Sequence, residues 1–234
     1  MTTTRIGCLC LHGFTGAPYE VEPLVMYLQE RTDWVFRVPT LPGHGETLSS
    51  LKGIRYQQWL DAAEDELKVL INTCDKIYVI GFSMGGMIAS FLAANYRVDK
   101  LVLLSAAAYY IHPRQLAEDI RTIMKDLFGG QLAGNKLFFH YRRKVMETPM
   151  SAVIEFRKLV SSIRPILPSI STPTFIAQGE SDGIVPPKSA EYLYHTIGSS
   201  QKKLSLIRNS KHLICYCDEK EEVFLQVLKF LQEV

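Results

Sequence analysis

The sequence predicts one main α/β domain built on a mostly parallel β-sheet of about six strands, with helices on both faces. Three observations lead to this prediction. Short apolar runs rich in β-branched residues alternate with longer runs of helical periodicity. Strand alternating with helix implies right-handed crossovers, which cover both faces of a parallel sheet. The 234 residues, of which 47% are hydrophobic, can bury a sizeable core.

The strands and helices follow one another in a regular order. Short, continuously apolar runs are typical of strands that are buried on both faces, and they occur at residues 6–11, 35–38, 76–80, 101–104, 174–178 and 204–207. Helical periodicity is found at residues 19–30, 56–70, 86–96, 189–196 and 221–231.

The alternation breaks once, between residues 106 and 165. This segment has helical signals but no convincing strand, and it is too long for an ordinary connection. We therefore predict a small helical cap at 106–165 inserted into a core formed by 1–105 and 166–234, with its clearest helices at 115–128 and 152–163. The cap has ten Lys or Arg residues against five Asp or Glu, so it is more basic than the chain as a whole.

A candidate nucleophile follows the third predicted strand. The apolar run 77–80 leads into Gly81-Phe82-Ser83-Met84-Gly85, a G-x-S-x-G motif, and then into an Ala- and Leu-rich helix. A serine on a sharp turn between strand and helix projects its hydroxyl from the edge of the sheet. We predict that Ser83 is a nucleophile. A serine hydroxyl reacts at neutral pH only with a base to take its proton and a carboxylate to orient that base.

The candidate base and carboxylate lie in loops after later strands. Asp182 follows the strand predicted at 174–178, and His212 follows the strand predicted at 204–207. Glu180 is a rival carboxylate on the same loop, and Asp182 is preferred because it is nearer the tip. His12 and His44 precede the nucleophile. We interpret His12 as a hydrogen bonder that fixes its loop and His44 as part of a structural turn.

Attack by a serine on an acyl carbon creates an oxyanion, which backbone N–H groups must stabilise. The residue after the nucleophile, Met84, supplies one candidate donor. The glycine-containing loop after the first strand, at residues 11–16, supplies the other, and we choose the N–H of Phe14.

Composition argues against several classes of partner. A net charge of +2 gives no reason to expect nucleic acid, and the longest mostly apolar stretch, 101–111, is well short of the roughly 20 residues of a membrane-spanning helix. Residues 1–11 do not have the pattern of a secretory signal, so we expect a soluble, cytoplasmic protein, either a monomer or a homodimer. Cys8/Cys10 and Cys215/Cys217 are each expected on one side of an extended segment without C-x-x-C spacing, so no metal is predicted.

Five motifs in order resemble a known family. They are Leu-His-Gly-Phe-Thr-Gly at 11–16, Pro-Gly-His-Gly at 42–45, Gly-Phe-Ser-Met-Gly-Gly at 81–86, Ser-Asp-Gly-Ile-Val-Pro at 181–186 and Asn-Ser-Lys-His at 209–212. Together they resemble the small bacterial carboxylesterase and monoacylglycerol lipase branch of the α/β-hydrolase superfamily. The resemblance implies that fold, a triad of Ser83, Asp182 and His212, an oxyanion hole of the Phe14 and Met84 amides, no cofactor, and a cap over an apolar acyl pocket.

The expected activity is hydrolysis of short- to medium-chain acyl esters or monoacylglycerols through an acyl-enzyme. A second interpretation keeps the triad and uses basic cap residues such as Arg142 and Arg143 as a clamp for an anionic group, giving a thioesterase or a lysophospholipase. A third, non-hydrolytic interpretation is a ligand receptor, or a triad that supports carbon–carbon cleavage or perhydrolysis. A receptor has no need of all three triad members.

Overall fold

One six-stranded sheet organises the computed structural model, which describes residues 4–109 and 148–233. Its strands are β1 (Ile6–Leu11), β2 (Val35–Arg37), β3 (Lys76–Phe82), β4 (Lys100–Leu104), β5 (Thr174–Gly179) and β6 (Lys202–Ile207). The order across the sheet is β2-β1-β3-β4-β5-β6, and every neighbouring pair is parallel. The predicted α/β fold class with about six strands is confirmed.

Six α-helices are found among the described residues: α1 (Glu22–Gln29), α2 (Tyr56–Thr73), α3 (Met84–Asn95), α4 (Met150–Ile163), α5 (Lys188–Thr196) and α6 (Lys220–Gln232). Helix α1 differs from the prediction, which was a continuous helix at 19–30. The chain instead forms a 3₁₀ turn at Pro18–Glu20 and begins the α-helix only at Glu22. Pro23 fits this later start, because a proline in the first helical turn lacks only an N–H that would have no partner within the helix.

Each face of the sheet packs against its own set of helices. In β1, Leu9 and Leu11 join a hydrophobic cluster with α2, α3, α4 and α5, whereas Cys8 and Cys10 join a second cluster with α1 and α6. Successive side chains of a strand point to opposite faces, so a continuously apolar strand supplies both clusters at once. This explains why the inner strands β1, β4 and β5 are largely apolar, whereas the edge strand β6 includes Lys202, Lys203 and Ser205.

The strand order creates a crevice between β1 and β3. The chain leaves β1 towards β2 on one side and returns to β3 on the other side. The loops that follow β1 and β3 therefore diverge at the carboxyl edge of the sheet, which is where open α/β sheets bind ligands. Ser83 directly follows β3, and the loop containing Phe14 follows β1.

The predicted cap is described only in part. The helix predicted at 115–128 and the basic residues Arg142 and Arg143 lie outside the described residues. Helix α4 is found where a helix was predicted at 152–163, and its buried residues Leu159 and Ile163 belong to the same hydrophobic cluster as α3. The division into core and cap stays a prediction.

Candidate active site

Ser83 occupies a strained turn between β3 and α3. Its backbone has φ 54° and ψ −114°, a left-handed conformation that costs a non-glycine residue about 1–3 kcal/mol. Three backbone hydrogen bonds hold the turn: the Ser83 N–H donates to the Leu104 carbonyl at 2.9 Å, and the Ser83 carbonyl accepts from the N–H groups of Gly86 at 3.1 Å and Ala107 at 3.2 Å. Strand β4 and the chain after it therefore fix the backbone of the candidate nucleophile.

Gly85 lets this turn approach the loop after β1. A Cβ atom placed on Gly85 would overlap the backbone carbonyls of Leu11 and His12. The second glycine of the G-x-S-x-G motif is thus required by the close contact of two backbones. The contact brings the start of α3 next to the loop that contains Phe14.

His212 lies between Ser83 and Asp182. Its Nε2 is 3.1 Å from Ser83 Oγ, and its Nδ1 is 2.8 Å from Asp182 Oδ2. An ionised carboxylate can only accept, so Nδ1 carries the proton and Nε2 is left to accept from the Ser83 hydroxyl. The Phe82 ring packs at 5.0 Å from the imidazole. The structure therefore brings together the three side chains that the sequence singled out, in the arrangement of a nucleophile, a base and an orienting carboxylate.

The Asp182 carboxylate is fully buried and is held on both oxygens. Oδ1 accepts from the N–H groups of Ile184 and Val185 at 2.8 and 2.9 Å, and Oδ2 accepts from Gln178 Nε2 at 2.9 Å as well as from His212. The rival carboxylate Glu180 is exposed. Sequence reasoning missed Gln178, although a polar residue near the end of an apolar strand was an available signal.

His12 fixes the loop that contains Phe14. Its Nε2 accepts from the Leu41 N–H at 3.0 Å, which leaves Nδ1 to donate to the Gly13 carbonyl at 2.9 Å. This agrees with its interpretation as a hydrogen bonder that fixes its loop. His44 is buried, with Nδ1 at 3.0 Å from the Pro42 carbonyl, as expected for a structural turn.

The two candidate oxyanion donors lie at the ends of neighbouring strands. Met84 is the first residue of α3, so its N–H has no carbonyl to bind within the helix. Within residues 4–109 and 148–233, neither the Met84 N–H nor the Phe14 N–H donates to a protein acceptor. Neither amide is therefore bound to a backbone acceptor in this part of the chain.

The ring of Phe14 connects this loop to helix α4. It stacks on Phe156 with a centroid distance of 5.1 Å and an angle of 9° between the ring planes, and it meets Trp59 edge-on at 5.9 Å. Phe156 lies in the segment predicted as the cap, so this part of the predicted cap directly supports the loop with the candidate oxyanion donor.

The two pairs of closely spaced cysteines differ in local structure. Cys8 Sγ is 3.8 Å from Cys10 Sγ, as expected for one side of a strand, and burial raises the pKa of Cys8 well above its ordinary value. The expectation of an extended segment at Cys215/Cys217 is wrong, because the turn bond from the Tyr216 N–H to the Leu213 carbonyl folds this segment into a 3₁₀ helix. In the part of the chain that the structure describes, no three His, Cys, Asp or Glu residues form a metal-binding group, and no helix is long and apolar enough to cross a membrane.

Comparison with known proteins assigns the family. A family model described as "Serine aminopeptidase, S33" matches residues 3–220. The chain belongs to this family of α/β-hydrolases. Among curated relatives of this S33-family protein, a thermostable monoacylglycerol lipase of Bacillus sp. (strain H-257) is 25% identical over 96% of the chain and 90% of the relative. A carboxylesterase of Bacillus subtilis (strain 168) is 23% identical over 97% of the chain and 92% of the relative.

A solved structure is similar to this S33-family protein in fold as well as in sequence. The structure, reported for the metagenome-derived lipolytic enzymes LipS and LipT, is 25% identical with a TM-score of 0.81, over 98% of this chain and 94% of that chain. The predicted membership of the carboxylesterase and monoacylglycerol lipase branch is confirmed. The prediction of a carboxylesterase-class enzyme is likewise confirmed at the level of the class.

Proposed function

We propose that this S33-family protein hydrolyses carboxylic esters with short- to medium-chain acyl groups, including monoacylglycerols, through an acyl-enzyme on Ser83. The observation that carries the proposal is the continuous chain of contacts from Ser83 Oγ through His212 to the buried Asp182. The substrate class is supported by the relatives that are named carboxylesterase and monoacylglycerol lipase.

The first half of the reaction acylates the serine. His212 Nε2 takes the hydroxyl proton as Ser83 Oγ attacks the acyl carbon, and the carbonyl oxygen becomes an oxyanion. The N–H groups of Phe14 and Met84 stabilise that oxygen, and loss of one such donor costs about 10²–10³ in kcat. His212 then returns the proton to the departing alcohol oxygen, which leaves an acyl ester on Ser83.

The second half repeats this chemistry with water. His212 takes a proton from water as the water oxygen attacks the acyl carbon. When the tetrahedral intermediate collapses, His212 returns that proton to Ser83 Oγ, and the carboxylic acid is released. Asp182 stabilises the imidazolium that forms twice in the cycle. Its side chain is fully buried and accepts four hydrogen bonds, which hold the carboxylate in place beside the imidazole.

The test is hydrolysis of p-nitrophenyl esters from acetate to palmitate and of monoacylglycerols, with wild type and Ser83→Ala in parallel. Ser181→Ala is the matched control, because Ser181 is an exposed serine beside Asp182. We expect turnover with an optimum chain length that Ser83→Ala abolishes and Ser181→Ala keeps. An alanine p-nitroanilide is included because the family is described as an aminopeptidase. Turnover of the anilide alone would overturn the ester assignment.

Covalent labelling tests the nucleophile directly. A fluorophosphonate reacts with an activated serine, so we expect its mass to appear on the peptide that contains Ser83 and to be absent after Ser83→Ala. Labelling at another serine, or activity that survives Ser83→Ala, would refute the proposed triad.

A further inference from the structure

A buried carboxylate lies beneath the loop that follows β1. Glu20, at the end of the 3₁₀ turn Pro18–Glu20, is only 5% exposed. Glutamate is almost never fully buried unless its charge has partners. Glu20 has no role in the proton transfers proposed for Ser83, His212 and Asp182.

We infer that Glu20 is a positioning residue for the oxyanion hole: its carboxylate holds the Gly13 amide and so fixes the loop whose next amide, that of Phe14, faces the reacting oxygen. The inference rests on the proposed function, because it assigns a role in stabilising an oxyanion that only the serine mechanism creates.

The hydrogen bonds around Gly13 carry the argument. The Gly13 N–H donates to Glu20 Oε2 at 2.9 Å, and the Gly13 carbonyl accepts from His12 Nδ1 at 2.9 Å and from the Gly16 N–H at 3.2 Å. Hydrogen bonds to an ionised acceptor are about twice as strong as neutral ones. Both sides of Gly13 are thus fixed, and the planar peptide that joins Gly13 to Phe14 places its N–H opposite the held carbonyl.

The glycines of this loop make room for the carboxylate. A Cβ atom on Gly16 would overlap the Glu20 carboxylate, so the absence of a side chain there is what allows Glu20 to reach beneath the loop. A Cβ atom on Gly13 would lie 3.1 Å from Glu20 Oε2 and 3.1 Å from Ser83 Cβ. A single glycine therefore separates the buried carboxylate from the candidate nucleophile.

Glu20 also lies close to the loop that follows His212. Burial, and then the Glu20 charge, raises the pKa of Tyr19 to about 12. Burial is also the main cause of the raised pKa of Cys215, to which the Glu20 charge contributes. The Tyr216 hydroxyl donates to the Tyr19 carbonyl at 2.7 Å, which ties the two loops together. The segment after the proposed base is therefore hydrogen-bonded to the residue that precedes Glu20.

Two nearly isosteric substitutions distinguish the loss of the Glu20 hydrogen-bond acceptor from the loss of side-chain volume. Glu20→Met fills the space with only a weakly accepting thioether, whereas Glu20→Gln keeps an amide oxygen that can accept from the Gly13 N–H. A misplaced oxyanion donor affects the transition state more than substrate binding. We expect Glu20→Met to lower kcat about 10- to 100-fold with KM within about twofold, and Glu20→Gln to keep about a third or more of wild-type kcat.

The experiment measures kcat and KM on p-nitrophenyl butyrate together with inhibition by an alkyl trifluoromethyl ketone, whose serine adduct carries an oxyanion. Glu22→Ala is the matched control, since Glu22 is an exposed glutamate two residues away. In Glu20→Met, the loss of inhibitor affinity should equal the loss of kcat/KM, and Glu20→Gln should restore most of both. Unchanged kcat, a loss confined to KM, or unchanged inhibitor affinity would overturn the inference.

A second variant covers the case in which Glu20→Met does not fold. Gly16→Ala keeps the glutamate and displaces its carboxylate, because the new Cβ would overlap it. The same loss of kcat and of inhibitor affinity is expected, and wild-type values would contradict the role of Glu20. Failure of the proposed function is distinct from this result, because wild type itself would then be inactive on every ester.

Discussion

Replacement of Asp182 by asparagine changes one atom in a fully buried group whose hydrogen bonds are all assigned. Oδ1 accepts from the backbone N–H groups of Ile184 and Val185, and Oδ2 accepts from Gln178 Nε2 and His212 Nδ1. In Asp182→Asn the remaining oxygen can keep only one of these pairs. If it keeps the backbone pair, the new NH₂ group faces two side-chain donors.

The consequence for chemistry follows from the tautomer of His212. When the NH₂ group of the new asparagine faces His212 Nδ1, that nitrogen must present a lone pair. The imidazole proton then lies on Nε2, which is 3.1 Å from Ser83 Oγ. A protonated Nε2 cannot take the proton of the Ser83 hydroxyl. A wrong tautomer of this kind lowers kcat by about 10⁴-fold in serine enzymes with this arrangement. We expect a loss of that size in Asp182→Asn.

Stability should fall at the same time. Each hydrogen bond to a charged group contributes about 1.5–3 kcal/mol, and two such bonds to Asp182 are lost in the variant. Ester kinetics and urea unfolding of the same preparations measure both effects. Glu180→Gln is the matched control, because it removes an exposed carboxylate from the same loop and should leave both values near those of wild type. More than about a tenth of wild-type kcat in Asp182→Asn, or an equal loss in Glu180→Gln, would refute the reasoning.

Three further predictions concern the surroundings of the site. Phe156→Ala removes the ring stacked at 5.1 Å on Phe14 and should lower both the free energy of unfolding and kcat. A double-mutant cycle with Phe14→Leu should give a coupling energy of about 0.5–1.5 kcal/mol. Additive effects of the two substitutions would contradict the contact. Gln178→Leu should lower the free energy of unfolding by about 1.5–3 kcal/mol in urea denaturation, because Asp182 loses a donor. The loss should be smaller in the Asp182→Asn background, where only the bonds from Gln178 Nε2 to the Gly179 and Val185 carbonyls remain to be removed, and an equal loss there would be inconsistent with the contact to Asp182. Burial raises the pKa of Cys215 above its ordinary 9.0, so this thiol ionises first in the unfolded chain. Stability should therefore fall above about pH 9, by about 1.4 kcal/mol per pH unit for this thiol, and Cys215→Ala should show a shallower fall in urea unfolding across that range.

The local chemistry of the site could be predicted from short segments of sequence. Apolar runs that end in turn residues give the strands, and the strand before and helix after Ser83 make its G-x-S-x-G motif informative. Asp182 and His212 could be chosen because parallel strands bring the loops after their carboxyl ends to one edge of the sheet. These inferences need only periodicity, motif order and the handedness of crossovers, all of which are properties of the chain read in order.

The residues that support the site could not be found in this way. Gln178 donates to Asp182 only because the loop after β5 folds back over the end of its own strand, and His12 accepts from Leu41 across 29 positions of sequence. Glu20 lies in a segment that reads as an ordinary amphipathic helix, and its burial depends on the space left by Gly16. A hydrogen bond or a filled space between distant segments depends on how the elements pack, and packing has no local signature in sequence.

The sequence by itself determined the order of strands and helices, the candidate nucleophile, base and carboxylate, and the edge of the sheet where they meet. Only the tertiary structure decided which carboxylate contacts His212 and which buried side chains bind the loops around the site, as Gln178 binds Asp182 and Glu20 binds the Gly13 N–H. The physical reason is the range of the interactions. Backbone periodicity acts over a few residues, whereas the contact between Ser83 and His212 joins residues 129 positions apart, and its 3.1 Å distance exists only once the whole sheet has formed.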